Sequence, residues 1–547
     1  MTATLRVRWS SAWGLFRGLA LPLLVTGGAR VARAQHVAAV PVMQIGGDSD
    51  ERIRLTQLLG RSSGDGYLIR STSRLTRFDT SSVWRIGPIL PTARVVRNSG
   101  IPYSLNEGPL WAGRGWNGEV TAGAYLAAPH VRVIMAPTLV ESQNEDFQVI
   151  PYPQTGASPR SVWANPFHPL PESIDLPLRF GDRRIERLDP GQSSITVDAG
   201  AVAFGAGSEN LWWGPGLRNA IVLSDNAPGF PHLFVQSRAP IRTAAGTFDA
   251  QFVLGELSES DFFDSDSTNN KRSLAGVVAT WRTPFDTTFT LGVARLVMGA
   301  HASGFPLGRA FDVFRTVGHL NVDSNTAVPA DARDQIFSLF GRWLLPAAGF
   351  EAYAEWARFE EPLSFRDLLE YPQHSQGYTV GFQWAHPLAA GRAFRLQAEG
   401  TYVEPDPSLR TRPVAITYTS RGVPQGFTNR GETLGASIGP GASSQWLAGE
   451  VFSRRWRIGP YLSRVRWDNG VLYEPIVPEY KRPDVTILAG LRAGASWHGV
   501  DVLVDFAHAA RFDYLFQDYV LGVRDEFAGI DLINNTLAVT LSTALIP

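Results

Sequence analysis

The sequence predicts an all-β protein: a transmembrane antiparallel β-barrel of about 18 strands with a small N-terminal helical or irregular segment. Three observations predict it. The chain begins with the parts of an export signal, and no long apolar run follows. From Gly118 onward it divides into segments of about ten alternating residues, joined by connections that are short and long in turn.

Residues 1–34 carry the signal. Arg6, Arg8 and Arg17 form a basic start, Leu19 to Val25 a short apolar stretch, and Ala32-Arg33-Ala34 a small-x-small cleavage site, which makes Gln35 the expected mature N-terminus. The alternative, an N-terminal anchor, would need a longer apolar run. Past Gln35 there is no apolar stretch of about 18 residues, so the exported chain is either soluble or a barrel. Net charge is -1, which gives no global field for nucleic acid or anionic membranes. Cysteine is absent, which excludes disulfides, Cys-ligated zinc and thiol nucleophiles together. Lys271 and Lys481 are the only lysines, so the positive charge is almost all arginine, the side chain that forks onto carboxylates.

Residues 35–117 read as a separate plug segment. Asp48 to Gly60 has acidic and Ser cap candidates, Ile53, Leu55, Leu58 and Leu59 at helical spacing, and a Gly stop. Arg70 to Phe78 reads as a second short helix or a strand extension, and Leu110 to Asn117 as a Gly/Trp loop.

Residues 118–547 read as the barrel. Its expected short connections are Ala127-Ala128-Pro129, Asp189-Pro190-Gly191, Ala244-Ala245-Gly246, Pro284-Phe285-Asp286, Ala347-Ala348-Gly349, Leu388 to Gly391, Arg457-Ile458-Gly459 and His498-Gly499. The long ones fall near 141–177, 207–231, 258–272, 299–333, 361–374, 404–443, 469–483 and 511–532. In residues 350–359, Phe350, Ala352, Ala354 and Trp356 take one face, and Glu351, Tyr353 and Glu355 the other. Residues 393–402 put Phe394, Leu396, Ala398 and Tyr402 outward and Arg395, Gln397, Glu399 and Thr401 inward. Charge confined to one face fits a polar lumen, with Glu351, Glu355, Arg395 and Glu399 as an ion-pair network inside it. A soluble β-sandwich alternates too, but it lacks the short/long asymmetry of the connections. Roughly 17 strands follow Gly118, and barrels have an even number, so Gly66 to Ser73 is the candidate for the missing one. Both termini then lie periplasmic, and Gly207 to Pro231 falls on the outer side. Ile546-Pro547 lacks the terminal aromatic usual in such proteins.

The stretch Glu209 to Pro231 stands apart. Trp212 and Trp213 precede a Gly214-Pro215-Gly216 turn, and Asp225-Asn226-Ala227-Pro228-Gly229 makes a second. Adjacent tryptophans on a loop must pack or bind.

Ile174 to Gly181, the Asp189 to Ser193 turn, ENLWWGPG with LSDNAPGFP, Gly349 to Trp356, Pro372 to Tyr378, and Thr428 to Gly431 followed by Leu434-Gly435 and Ile438-Gly439-Pro440 resemble the capsule assembly Wzi family. The likeness runs from about Leu110 to the C-terminus. It implies an outer-membrane barrel of eighteen strands with periplasmic helices and outer loops that close the pore. It also implies a lectin-like activity, in which capsular or related exopolysaccharide is held at the cell surface with no enzymatic step, and it carries over no residue-level site. Sugar rings stack on Trp and polar side chains take their hydroxyls, so Trp212, Trp213, Arg218, Asn219 and Asn226 are the ligand candidates, with Gly214, Pro215, Gly216 and Pro228 shaping the loop. The alternative for this loop is that both tryptophans simply wedge it into the barrel mouth.

The remaining signals point to no chemistry. Asp261 to Asn270 is acidic but lacks spaced calcium ligands, and His374 sits at a strand start where a structural role is expected. No nucleophile elbow, phosphate loop or zinc-protease motif is present. The expectation is a monomer without metal or cofactor, with polysaccharide and outer-membrane lipids as partners. A porin-like channel for small solutes is the alternative.

Overall fold

A computed structural model describes residues 40–41, 44–76, 84–147, 178–260, 262, 270–301, 304–317, 331–410, 416–420, 422–423, 425–472, 482–516 and 531–543. The export signal over 1–34, residues 174–177 and most of the acidic run 261–270 lie outside them.

The wall is one closed antiparallel sheet. It runs through Arg85–Asn98, Gly115–Ala127, two interrupted strands (Val131–Met135 with Thr138–Ser142, then Ile185–Asp189 with Ser194–Ala199), Val202–Gly207, and His232–Ser237 with Ile241–Thr243. Regular strands follow over Gly246–Ser258, Lys271–Arg282, Phe289–His301, Arg333–Leu345, Phe350–Arg358, Gln376–Leu388 and Arg392–Tyr402. Ser443–Phe452, Trp456–Trp467, Asp484–Trp497, Val500–Phe512 and Leu532–Thr543 complete the ring. Counted with each interrupted strand once, there are eighteen. The last closes on the first, with Thr536 opposite Asn98, so the sheet has no free edge.

Alternation decides which way each side chain points. Glu351, Tyr353 and Glu355 are buried inside while Ala354 on the opposite face is exposed, and residues 393–401 bury every second side chain as expected. Outward apolar side chains such as Leu339, Trp343, Val380, Leu462 and Ile487 are exposed in the isolated chain, as a lipid-facing band requires. Short turns gather at one end and long loops at the other. The turn between Asp484–Trp497 and Val500–Phe512 has two residues, His498 and Gly499, both at positive φ, the geometry that matches strand twist in a tight hairpin. No helix among the described residues is long and apolar enough to cross a membrane.

Several expectations are corrected. Gly66 to Ser73 is not a wall strand: Ile69–Ser71 is buried on all three residues and pairs with Leu211–Trp213 inside the barrel. The wall begins instead at Arg85–Asn98, well before Gly118. Pro88 and Pro91 hid that strand, and its register shifts between Ile89 and Thr92 to accommodate them. Asp189-Pro190-Gly191 is a mid-strand interruption rather than a hairpin; Asp189 Oδ1 accepts the Gly191 N–H, so local turn chemistry occurs without a chain reversal, which falls at Gly200-Ala201. Arg457-Ile458-Gly459 lies within Trp456–Trp467, and the turn is at 453–455. Of Arg70 to Phe78, Thr72–Leu75 is a short helix, and Phe78 lies outside the described residues.

Among the described residues, much of the lumen is filled by a packed core. Inward Val253, Leu274, Val278, Leu296, Ile336 and Phe340 join Trp213, Ile221, Val222, Leu223, Tyr418 and Phe427 from the loops in one apolar cluster. The helix Asp48–Leu58 enters at the short-turn end, where Leu55 and Leu58 meet Ala385 and Phe452.

Candidate functional site

The interior is built around the Trp-Trp loop. Leu211–Trp213 pairs antiparallel with Ile69–Ser71, Trp212 opposite Arg70, so two non-wall segments make their own sheet within the lumen. Trp212 and Trp213 are 1% and 0% exposed. The Trp213 indole N–H donates to Gln251 at 2.8 Å, and the Arg70 guanidinium lies 4.7 Å from the Trp212 ring centre. Gly214 has φ +105°, and a Cβ there would stand 3.1 Å from Glu355, so the turn after the tryptophans needs glycine for both conformation and space.

Wall carboxylates hold this loop in place. Glu399 accepts the backbone N–H groups of Leu217, Arg218 (3.0 Å) and Asn219 (2.9 Å) and the Tyr353 hydroxyl at 2.7 Å. Glu355 accepts the Ile221 N–H at 3.2 Å and the Ser338 hydroxyl at 2.8 Å. Glu351 instead takes Arg54 of the interior helix (Nε at 2.9 Å) and Arg342 at 2.8 Å. Arg395 reaches Glu51 of that helix at 3.0 Å and also pairs with Glu450. The four charges expected as a lumen network are therefore anchors for the plug and loop.

Glu51 is the hub of the helix. Arg492 at 3.1 Å, Arg457 at 3.2 Å and Arg218 at 3.6 Å surround it along with Arg395. Burial pushes its carboxyl up, but the four guanidiniums outweigh burial and hold it well below the usual range. Two interior loop carboxyls go the other way. Burial pushes Glu209 up to about 7 against hydrogen bonds from Ser73, and pushes Asp225 well above its ordinary value.

Two cavities remain along the wall of the last strands. The inner one, of about 200 Å³, is lined by Glu51, Arg218, Trp446, Arg492 and Asp505, with Arg218 stacked 4.3 Å from the Trp446 ring centre. The other, of about 230 Å³, lies toward the long-loop end and is lined by Tyr103, Trp111, Trp467, Arg511, Tyr514 and Phe516. Tyr103, Leu105, Ser437 and Ile438 line both and stand between them. In the outer cavity Arg511 forks onto Asp484 at 2.7 and 2.6 Å, and its guanidinium lies 5.3 Å from the Trp467 ring and 4.8 Å from the Tyr514 ring. Trp111 Nε1 has no hydrogen-bond partner among the described residues. Asp513, Leu515 and Phe516 beside it are left-handed at φ +50°, +53° and +60°, a strained run of non-glycine residues. Glu432 also lines this cavity; burial pushes it up to about 8, with Arg187 and Arg430 opposing and Glu107 adding to the shift.

A profile of the family described as capsule assembly protein Wzi matches residues 114–479. The chain belongs to the capsule assembly Wzi family. It is accordingly an outer-membrane β-barrel. Among solved structures, Escherichia coli Wzi aligns with a TM-score of 0.54 over 83% of this chain and 85% of that one, at 11% identity. That protein is an outer-membrane protein involved in group 1 capsule assembly and a carbohydrate-binding β-barrel. Acinetobacter baumannii OccAB2 aligns at 0.41 with 9% identity over 85% and 99% of the two chains. A BenF-like porin from Pseudomonas fluorescens Pf-5 aligns at 0.37 with 10% identity over 84% and 99%. No curated protein sequence matches the chain.

Within this Wzi-family barrel the five ligand candidates are spread over packed ground. Trp212 and Trp213 are enclosed. Asn226 gives Nδ2–H to the Thr433 carbonyl and takes the Asn106 N–H, and Asn219 sits between Ser444 and Ser437. Arg218 is the most exposed of the five and lines the inner cavity with Trp212 and Asn219, whereas Asn226 lines the outer one. Pro215 is buried, Gly216 has its carbonyl near Arg54 and Arg70, and the Pro228 carbonyl accepts from Asn429. His374 is buried at 1% exposure, with Nδ1 3.4 Å from Ser408. Sequence reading missed the aromatic set of the outer cavity. Its members come from three distant stretches, and the one local signal was Trp467 next to Asp468-Asn469-Gly470.

Proposed function

We propose that this chain binds capsular or a related surface polysaccharide at its outer cavity and helps hold it at the cell surface, acting as a monomer and without a catalytic step. One observation carries the reading: at the long-loop end of a core-filled barrel, Trp467, Tyr514 and Tyr103 line a cavity beside a guanidinium already stacked on two of those rings. Aromatic faces take the C–H faces of sugar rings, and the outer N–H groups of Arg511 suit hydroxyls and uronate carboxylates. The description of Escherichia coli Wzi as carbohydrate-binding supports the same substrate class. Among the wall carboxylates, Glu351, Glu355 and Glu399 are each taken up by donors of the plug or loop, and Asp484 of the outer cavity is taken up by Arg511, which supports binding over hydrolysis at these groups.

The test is binding of the full-length mature chain to immobilised acidic and neutral bacterial polysaccharides. Trp467→Ala should weaken binding at least tenfold while heat-modifiable gel mobility stays normal. Unchanged binding would remove the outer cavity from the proposal.

A further inference from the structure

Residues 304–317 do not extend away from the barrel mouth. Their short turns Leu307–Arg309 and Asp312–Phe314 fold back over the outside of the wall, where Val313 is buried against outward-facing Leu254 and Ala275. That Leu254 faces outward follows from Val253 and Leu257, which join the lumen core. Arg295, also outward, fixes the fold-back by donating to the carbonyls of Val313 at 3.1 Å and Arg315 at 2.8 Å. Glu361 ties it to the next loop by accepting the Val317 N–H and facing Arg295 at 3.9 Å.

Register relates this segment to the outward residues of the next strands. Arg295 is opposite Phe337, which is opposite Arg358, and Arg358 is opposite Gln376. Two residues inward along that row, outward Trp356 pairs with Tyr378, which stacks on Tyr402 at 5.3 Å between ring centres. Outward Trp and Tyr near the strand ends mark the membrane interface. The fold-back therefore lies on the outer face of the wall toward the long-loop end, on the side of this aromatic row.

Its free face carries both chemistries such a lipid presents. Phe311 and Phe314 are 71% and 68% exposed, and the neighbouring helix Phe365–Glu370 exposes Phe365 and Leu369 similarly. Beneath them buried Asp312 is contacted by Arg333 at 2.9 Å, Arg309 at 3.3 Å and Arg315 at 3.4 Å. Asp331 at 3.5 Å meets Arg333 as well, so three guanidiniums face two carboxylates and the excess is positive. Arg315 is the most exposed of the three.

We propose that this fold-back is a docking site for a phosphate-bearing lipid of the outer leaflet, with Arg315 and Arg309 forking onto a headgroup phosphate and Phe311 and Phe314 lying against acyl chains. An exposed apolar face joined to surplus positive charge at the interface matches an anionic amphiphile and would be costly facing water. The inference rests on the outer-membrane location and is independent of polysaccharide binding.

The test uses the full mature chain in nanodiscs of zwitterionic phospholipid doped with bis-phosphorylated lipid A or its dephosphorylated form, with bound lipid counted by native mass spectrometry. The wild type should retain the phosphorylated lipid at least tenfold better. Arg309→Ala/Arg315→Ala should abolish that preference, and Phe311→Ser/Phe314→Ser should lower retention of both lipids. Arg315→Glu alone, on the most exposed guanidinium, covers the case in which the double variant fails to fold. Equal retention of the two lipids, a preference that survives Arg315→Glu, or full displacement by millimolar inorganic phosphate would overturn the proposal.

Discussion

The carboxylate of Glu399 on the barrel wall accepts the backbone N–H of Asn219 at 2.9 Å, at the tip of the loop that fills the lumen. The same carboxylate holds Leu217, Arg218 and the Tyr353 hydroxyl, so one side chain satisfies four donors. Glu399→Ala leaves those donors buried without an acceptor, at roughly 1–3 kcal/mol each where no water replaces it. A loss of about 3 kcal/mol or more is expected, read as a lower temperature for the heat-modifiable gel shift. Planar bilayers give a second reading: the wild type should show no steady large conductance, and the variant should, because the loop tip is released from the wall. Steady currents from the wild type would favour a solute channel instead.

The two tryptophans of the loop and the tryptophan of the outer cavity should behave in opposite ways. Trp213 is fully enclosed, and Trp213→Ala removes a large core side chain at a cost of about 3–5 kcal/mol. Polysaccharide affinity of the folded fraction should be unchanged. Trp467→Ala should do the reverse, lowering affinity with little effect on unfolding temperature. Isothermal titration with a defined oligosaccharide, beside thermal melts in detergent, separates the two. Loss of affinity in Trp213→Ala at full foldedness would return the ligand site to the loop.

Glu432 predicts a pH dependence. Its carboxyl titrates at about 8 in the fold and near 4.5 as an ordinary carboxyl, so the folded chain keeps a proton that the unfolded chain releases. That contribution to stability is full below about 4.5 and declines as pH rises through 8. Unfolding temperature should fall between pH 5 and pH 9, and Glu432→Gln should flatten the upper part. The slope that remains belongs to the other buried carboxyls, Glu209 among them. Affinity for an acidic polysaccharide should also drop as Glu432 ionises in the outer cavity, and Glu432→Gln should remove that drop.

Alternation made the wall legible because a strand with lipid on one side and protein on the other writes a two-residue period into its sequence. Where the wall departs from regular strand, the sequence misled. Pro88 and Pro91 disguised the first strand, and Asp189-Pro190-Gly191 carries the chemistry of a turn inside an interrupted one. Ile69–Ser71 gives no signal that separates it from the wall, because a three-residue strand buried on both faces has no period to read. Glu351, Glu355, Arg395 and Glu399 were rightly placed inward, but their partners on residues 51, 54 and 217–221 come from a helix and a loop whose path no local pattern encodes. The outer cavity was illegible for the same reason: Tyr103, Trp467 and Tyr514 are neighbours only after closure of the barrel.

The interior helix should be held mainly by Glu51. Its carboxylate faces Arg395, Arg457 and Arg492 within 3.0–3.2 Å, and these wall arginines otherwise share only Asp48, Glu450 and Asp505. Glu51→Ala leaves them crowded with too few counter-charges, a change that typically costs about 3–5 kcal/mol when buried. The cost can be avoided by letting the helix leave and water enter. Limited trypsin digestion should then cut after Arg54 in Glu51→Ala, a site the wild type protects because Arg54 is enclosed against Glu351. Mild acid should not imitate the mutation. The Glu51 carboxyl is held well below 4.5, so its contribution is present above that value and is lost only as pH falls through its lower folded value. An unchanged tryptic pattern in Glu51→Ala would transfer the anchoring role to the Arg54–Glu351 pair.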